Sequence, residues 1–151
     1  ATECMGILIA AVGREHSGNA IQETVPLALE GMNLDYAEVR EYTFGYFSNL
    51  AEVMEGDFVP LLPTVVPLVI KSMLADDGMI SNYDQPLGDT GPEIDLDSDS
   101  DDDEDNRGKL KSLSVRTAFL DEKASAAQCM GTLAETTVAG IGPYLNDCIE
   151  T

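Results

Sequence analysis

Apolar residues recur three and four positions apart over most of this chain, the spacing of helices that each bury one stripe. Between Glu38 and Met54, that spacing puts Val39, Thr43, Phe44, Phe47, Leu50 and Ala51 on one face and predicts an amphipathic helix. Asp35, with Glu38 three positions on, is its candidate cap, and Gly56 just beyond the stripe is its candidate stop. Asp57 then opens a partner helix running to about Ala75, with Pro60 in the first turn, where a missing donor costs little. Pro63 and Pro67 each remove a backbone hydrogen bond, so this helix is expected to bend or to start late. Residues 20–32 predict an equivalent helix earlier in the chain, Asp121 to Thr136 repeats the 38–54 pattern, and a further helix begins at Ile141. Residues 76–114 are different in kind, polar and acidic.

Self-comparison organises these helices. Val25-Pro26-Leu27-Ala28-Leu29-Glu30-Gly31-Met32 matches Val66-Pro67-Leu68-Val69-Ile70-Lys71-Ser72-Met73 at an offset of 41. Phe47-Ser48-Asn49-Leu50-Ala51-Glu52 matches Met130-Gly131-Thr132-Leu133-Ala134-Glu135 at an offset of 83 and carries on to Pro60 opposite Pro143. The period is therefore 41 or 42 residues, and one unit is longer by about the length of the acidic stretch. Two helices at that period are the signature of HEAT and armadillo arrays, whose helix pairs bury their apolar faces against their neighbours. The expected fold is all-α, a HEAT-repeat α-solenoid of stacked antiparallel helix pairs with a long acidic loop inside one repeat. Its parts are the second helix of a partial repeat over 1–13, a repeat over 18–54, a repeat over 57–136 carrying the insertion 76–114, and the start of another over 139–151. Ile7, Leu8, Ile141 and Leu145, on the terminal helices, are expected to be partly exposed, which predicts a marginal or self-associating chain.

Charge narrows the partners. The 151 residues carry a formal net charge of −20, and 13 of the carboxylates lie between Asp76 and Asn106, where there is no lysine or arginine. Nucleic acid and anionic membrane surfaces carry dense negative charge of their own, so neither is expected as a direct partner, whereas a basic protein is the natural complement. The longest apolar stretch, Phe58 to Ile70, is 13 residues with three prolines, too short and broken to span a bilayer. The run Glu93, Asp95, Asp97, Asp99, Asp101, Asp102, Asp103, Glu104, Asp105 is expected to be a solvated loop that attracts the basic partner over a distance set by ionic strength. Ser98 and Ser100 each precede an acidic residue by three positions and are candidate phosphorylation sites.

Chemistry is harder to find. Counted from Asp95, the acidic run puts Ser100 where a calcium loop needs glycine and Asn106 where it needs a bidentate glutamate. Counted from Asp97, it puts Asp102 and Gly108 there. Cys4, Cys129 and Cys148 form no Cys-x-x-Cys pair, and His16 has no second histidine to complete a zinc site. The thiols are expected as small apolar residues on or beside packed faces and His16 as an exposed residue between helices. No phosphate loop, nucleophile elbow or zinc-protease motif occurs, so neither catalysis nor a cofactor is expected. Arg40, with Asp35 before it, is expected to tie neighbouring repeats through a carboxylate, and Lys123 stands in its place in the next unit.

Phe58-Val59-Pro60-Leu61-Leu62-Pro63-Thr64-Val65-Val66-Pro67-Leu68-Val69, an acidic stretch, and then Ser114-Val115-Arg116-Thr117-Ala118-Phe119-Leu120-Asp121-Glu122-Lys123-Ala124-Ser125-Ala126 together resemble the middle of the karyopherin-β (importin-β) nuclear import receptors, the importin 4 subgroup above all. The resemblance implies a HEAT superhelix that shuttles between cytoplasm and nucleus and carries basic cargo such as histones or ribosomal proteins. It also implies release of that cargo by the GTPase Ran and weak contacts with phenylalanine-glycine nucleoporins. By the same resemblance helices 38–54 and 121–136 line the inner surface, helices 20–32 and 57–75 the outer, and the acidic insertion is placed to touch cargo or Ran. The alternative that the period alone leaves open is a HEAT scaffold outside transport, such as a phosphatase or condensin-type subunit.

Overall fold

The computed structural model describes residues 1–75 and 103–149, the side chains of 103–116 excepted. Its elements are α1 (Thr2–Val12), α2 (Arg14–Gly31), α3 (Ala37–Met54), a 3-10 segment Glu55–Leu61, α4 (Leu62–Leu74), α5 (Asp103–Thr137), a second 3-10 segment Val138–Tyr144, and the short α6 (Leu145–Ile149). No strand occurs among the described residues, and the fold is the all-α arrangement of stacked helices that the period required. The chain divides into two compact units, residues 1–75 with 118–151, and residues 76–117. The buried core belongs to the first of these units.

The repeat is written into the backbone. Among the described residues, φ is positive at three places: Gly13 (75°), Glu55 (49°) and Val138 (45°). Each follows the last residue of a helix, α1, α3 and α5 respectively, and they stand 42 and 83 positions apart, in line with the period of 41 or 42 and the offset of 83 in the sequence. After Glu55 and after Val138 the chain makes a seven-residue 3-10 segment with proline sixth, Pro60 and Pro143, before the next α-helix begins. Phe58 and Ile141 occupy the same place in these two segments and both are buried. The two segments pack against each other, Gly140 so closely on Val59 and Leu62 that a Cβ there would lie 2.7 Å from a Val59 methyl.

α3 is the centre of the core. It packs on α1 and α2, and side chains of its first turns reach α5. With neighbours on more than one side its buried face is wider than one stripe: Tyr46 joins Thr43, Phe44, Phe47, Leu50 and Ala51 in full burial, while Val39 is only half-buried. The Tyr46 ring meets Phe47 edge-on at 5.4 Å, and its hydroxyl lies 2.7 Å from that of Thr24. Because the Thr24 hydroxyl already donates to the Ala20 carbonyl, Tyr46 is the donor of the pair. α1 crosses α3 at Gly6, where the Tyr46 Cα would stand 3.0 Å from an added Cβ. From α5 the buried residues Ala126, Cys129, Met130 and Leu133 extend the same core. Met130 and Leu133 hold the places that Phe47 and Leu50 hold in α3.

Several expectations change. Asp35 does not cap α3: the N-cap is Tyr36, in extended conformation and without a side-chain cap bond. Gly56 does not end that helix, because the turn is made one residue earlier by Glu55. α4 starts late, at Leu62, with Pro63 in its first turn, and accommodates Pro67 inside it on the exposed side. Ile141, expected at an exposed end, is only 5% exposed because it plays the part of Phe58, whereas Ile7, Leu8 and Leu145 are exposed. The residues expected to form a loop as far as 114 are helical from Asp103 onward, so α5 is far longer than 121–136. The continuous run Ala37–Leu74 has a window of mean hydropathy 1.6, enough by length and composition to cross a bilayer. The turn at Glu55 interrupts it, and Leu62, Val65, Val66 and Val69 of α4 lie in the buried core.

Candidate functional site

The chemistry of the described residues concentrates where α3 meets α5. Arg40, one turn into α3, donates from Nε to Glu122 Oε1 and from Nη2 to Glu122 Oε2, both at 2.8 Å, a parallel two-bond pairing that the planar guanidinium matches in shape. Its Nη1 donates to the Leu34 carbonyl at 2.6 Å and lies 3.8 Å from Asp35. Glu122 is 2% exposed, and a carboxylate so placed depends on its partner, since an unpaired buried charge is strongly unfavourable. Hydrogen bonding to Glu122 outweighs burial and raises the pKa of Arg40. The Ser125 hydroxyl adds a second tie, donating to the Glu41 carbonyl at 3.3 Å.

The residue after Arg40 faces the opposite situation. The Glu41 carboxyl is pushed above the ordinary value, first by burial and then by the charges of Asp121, Glu3 and Glu38. The negative charges of Asp121, Glu3 and Glu38 thus act on Glu41 in the same direction as its burial. A cleft of about 220 Å³ adjoins the Arg40 side chain, lined by the loop from Met32 to Asp35, by Lys71 and Ser72 of α4, and by Glu122.

The residues singled out in the sequence are scattered relative to this junction. Arg40 sits in it and Asp35, fully exposed, only touches its edge. Lys123 instead meets Phe119, its ammonium 5.1 Å from the centre of that ring. Glu93, Asp95, Asp97, Ser98, Asp99, Ser100, Asp101 and Asp102 lie outside the described residues, while Asp103, Glu104 and Asp105 form the first turn of α5 with side chains that are not described. His16 is exposed on α2. The cysteines divide: Cys129 is buried, its thiol pushed up to about 11 by burial, Cys148 is half-buried with Sγ 3.6 Å from the Met130 sulfur, and Cys4, expected on or beside a packed face, is exposed. Among the described residues no group of three metal-ligating side chains comes together.

Glu122 is the residue that sequence reasoning passed over. Its signal was positional: Phe119, Glu122, Ala126, Cys129 and Leu133 form one stripe at three- and four-residue spacing, so a carboxylate there stands in the packed face of its helix. A charge in such a place needs a buried partner.

No protein-family model matches the chain. Individual proteins do. The chain is 30% identical over 152 residues to a probable importin subunit beta-4 of Schizosaccharomyces pombe, covering 98% of this chain and 14% of that protein. It is 26% identical over 153 residues to importin subunit beta-3 of Saccharomyces cerevisiae, covering 98% of this chain and 13% of that protein. It is 26% identical over 153 residues to importin-4 of Mus musculus, covering 95% of this chain and 14% of that protein. The chain thus spans about one seventh of the length of the relatives it matches.

Proposed function

Because the chain belongs to the importin-β family of nuclear transport receptors, we propose that it forms a non-catalytic stretch of cargo-binding wall, with α1, α3 and α5 turned toward a basic protein segment. What supports this reading is the raised pKa of Glu41 on α3, set first by burial and then by the negative charges of Asp121 on α5, Glu3 on α1 and Glu38 on its own helix. Cationic side chains from a histone-like or ribosomal-type cargo relieve that repulsion when they bind, whereas a neutral partner does not. The acidic residues from Glu93 to Asp105 extend the same field along the sequence and serve capture more than fixed contact, since charge acting at a distance mainly raises the rate of encounter. Phosphorylation of Ser98 and Ser100 would deepen it. In the whole receptor, Ran and phenylalanine-glycine nucleoporins act on the assembled superhelix, which moves between cytoplasm and nucleus.

Fluorescence titration with a lysine-rich peptide tests the proposal. Binding is expected to weaken as salt rises, to slow in onset when residues 93–105 are deleted, and to weaken at equilibrium in the triple variant Glu38→Gln, Glu41→Gln, Asp121→Asn. Affinity indifferent to salt, or unchanged in the triple variant, removes the inner carboxylates from cargo recognition.

A further inference from the structure

Ser72, near the end of α4, is only 5% exposed, and its hydroxyl has no hydrogen-bond partner among the described residues. No fully enclosed side-chain oxygen among the described residues lacks a partner, so the Ser72 oxygen opens onto the cleft that the residue lines. Other helical hydroxyls, those of Ser17, Thr24, Thr43, Ser48 and Thr137, donate to the carbonyl four residues back. Ser72 does not, and its donor stays available to the cleft. Lys71, the residue before it, lines the same cleft, is exposed, and makes no ion pair among the described residues. We propose that this cleft of about 220 Å³ receives a glutamate side chain of a protein partner, its carboxylate held by the Ser72 hydroxyl and the Lys71 ammonium.

The lining decides the sign of the ligand's charge. Both oxygens of Glu122 accept from Arg40 at 2.8 Å, so that carboxylate has little to offer a cation. Asp35 is fully exposed, where water competes for it. The unengaged groups are a hydroxyl and an ammonium, and an acid makes charge-assisted hydrogen bonds with both. Arg40 adds positive charge to the same lining and has N–H groups beyond the three that bond Glu122 and Leu34. Met32, Leu34 and Leu68 supply apolar wall for methylene groups, which favours glutamate over a bare inorganic anion. The volume is below the roughly 300–1,000 Å³ of a small-molecule site and suits a single side chain. The net charge of −20 opposes an acidic partner at long range, so affinity is expected to be weak, on the order of 1 mM. This ligand is opposite in charge to basic cargo, so the site stands or falls independently of the cargo reading.

Amide NMR titration of the 151-residue chain with a blocked alanine-glutamate-alanine tripeptide tests the site. Saturable shifts are expected at residues 32–35 and 68–75, and the tripeptides with glutamine or lysine in place of glutamate are expected to bind about tenfold more weakly. Ser72→Ala is expected to weaken binding of the glutamate peptide about tenfold, the loss of one hydrogen bond to a charged group. It should do so without lowering the thermal midpoint of the free protein, because the hydroxyl bonds no described group there. Lys71→Gln is expected to weaken binding only about threefold, as befits an exposed ion pair. Lys123→Gln, which removes an ammonium that sits over Phe119, is expected to leave affinity unchanged. Equal binding of the glutamine or lysine peptide, shifts that do not localise to the cleft, or undiminished affinity in Ser72→Ala would each overturn the proposal. A Ser72→Ala protein that binds normally and melts lower would assign the hydroxyl to the fold instead.

Discussion

Replacing Gly6 by alanine probes the close crossing of α1 on α3. An added Cβ would stand 3.0 Å from the Tyr46 Cα, 3.2 Å from the Asn49 amide nitrogen and 3.4 Å from the Tyr46 Cδ2. Asn49 can rotate away, but the Tyr46 Cα is backbone and its ring is held by full burial and by the hydrogen bond to Thr24, so α1 as a whole has to retreat. Ile9, one turn further along α1 and 1% exposed, would lose contact with it. Forcing a methyl into a packed site of this kind costs about 2 kcal/mol, against a helix-propensity gain of about 1 kcal/mol for alanine over glycine. Gly45 is the internal control, since it lies in α3 with nothing within 4 Å of an added Cβ and should return the propensity gain alone. Gly6→Ala is thus expected to be destabilised by about 1 kcal/mol and Gly45→Ala stabilised by about 1 kcal/mol. Urea denaturation of both variants at one protein concentration measures the difference, and for a chain of this length thermal midpoints should separate by roughly 4–8 °C. A Gly6→Ala protein as stable as Gly45→Ala would refute the close crossing of α1 on α3.

Three further outcomes rest on particular groups. Because the folded-state pKa of Glu41 is raised, the native protein holds that proton more tightly than the unfolded chain does, and the stability this gives is lost as pH rises from about the ordinary 4.5 through the folded value. Glu41→Gln should therefore melt higher than wild type at pH 7, with the gap closing toward pH 4; a gap independent of pH would contradict the assignment. Val138, a β-branched residue at φ 45° and largely exposed, should give way to glycine with a gain of about 1 kcal/mol, read as a shift of the denaturation midpoint. A disulfide-exchange reagent at neutral pH should modify exposed Cys4 in the folded protein and reach Cys129, whose thiol is buried and pushed up to about 11, only as the protein unfolds. Equal rates at the two thiols would count against the burial of α5.

The sequence alone determined the helices and their period. Those properties rest on local spacing and on self-similarity, and the period of 41 or 42 and the offset of 83 reappear as the intervals of 42 and 83 between turns at Gly13, Glu55 and Val138. The net charge of −20 was legible as well, since it is a sum over residues and needs no coordinates. Tertiary structure decided the rest. Tyr46 is buried because α3 has neighbours on more than one side, which a single-stripe pattern does not encode. Ile141 is buried because its segment packs on the one containing Phe58. Arg40 makes its two-bond pairing with Glu122, 82 positions away, and only a longer 3.8 Å contact with the nearby, exposed Asp35, because burial strengthens a pair that water would weaken, and only the packing of α5 on α3 says which carboxylate is buried.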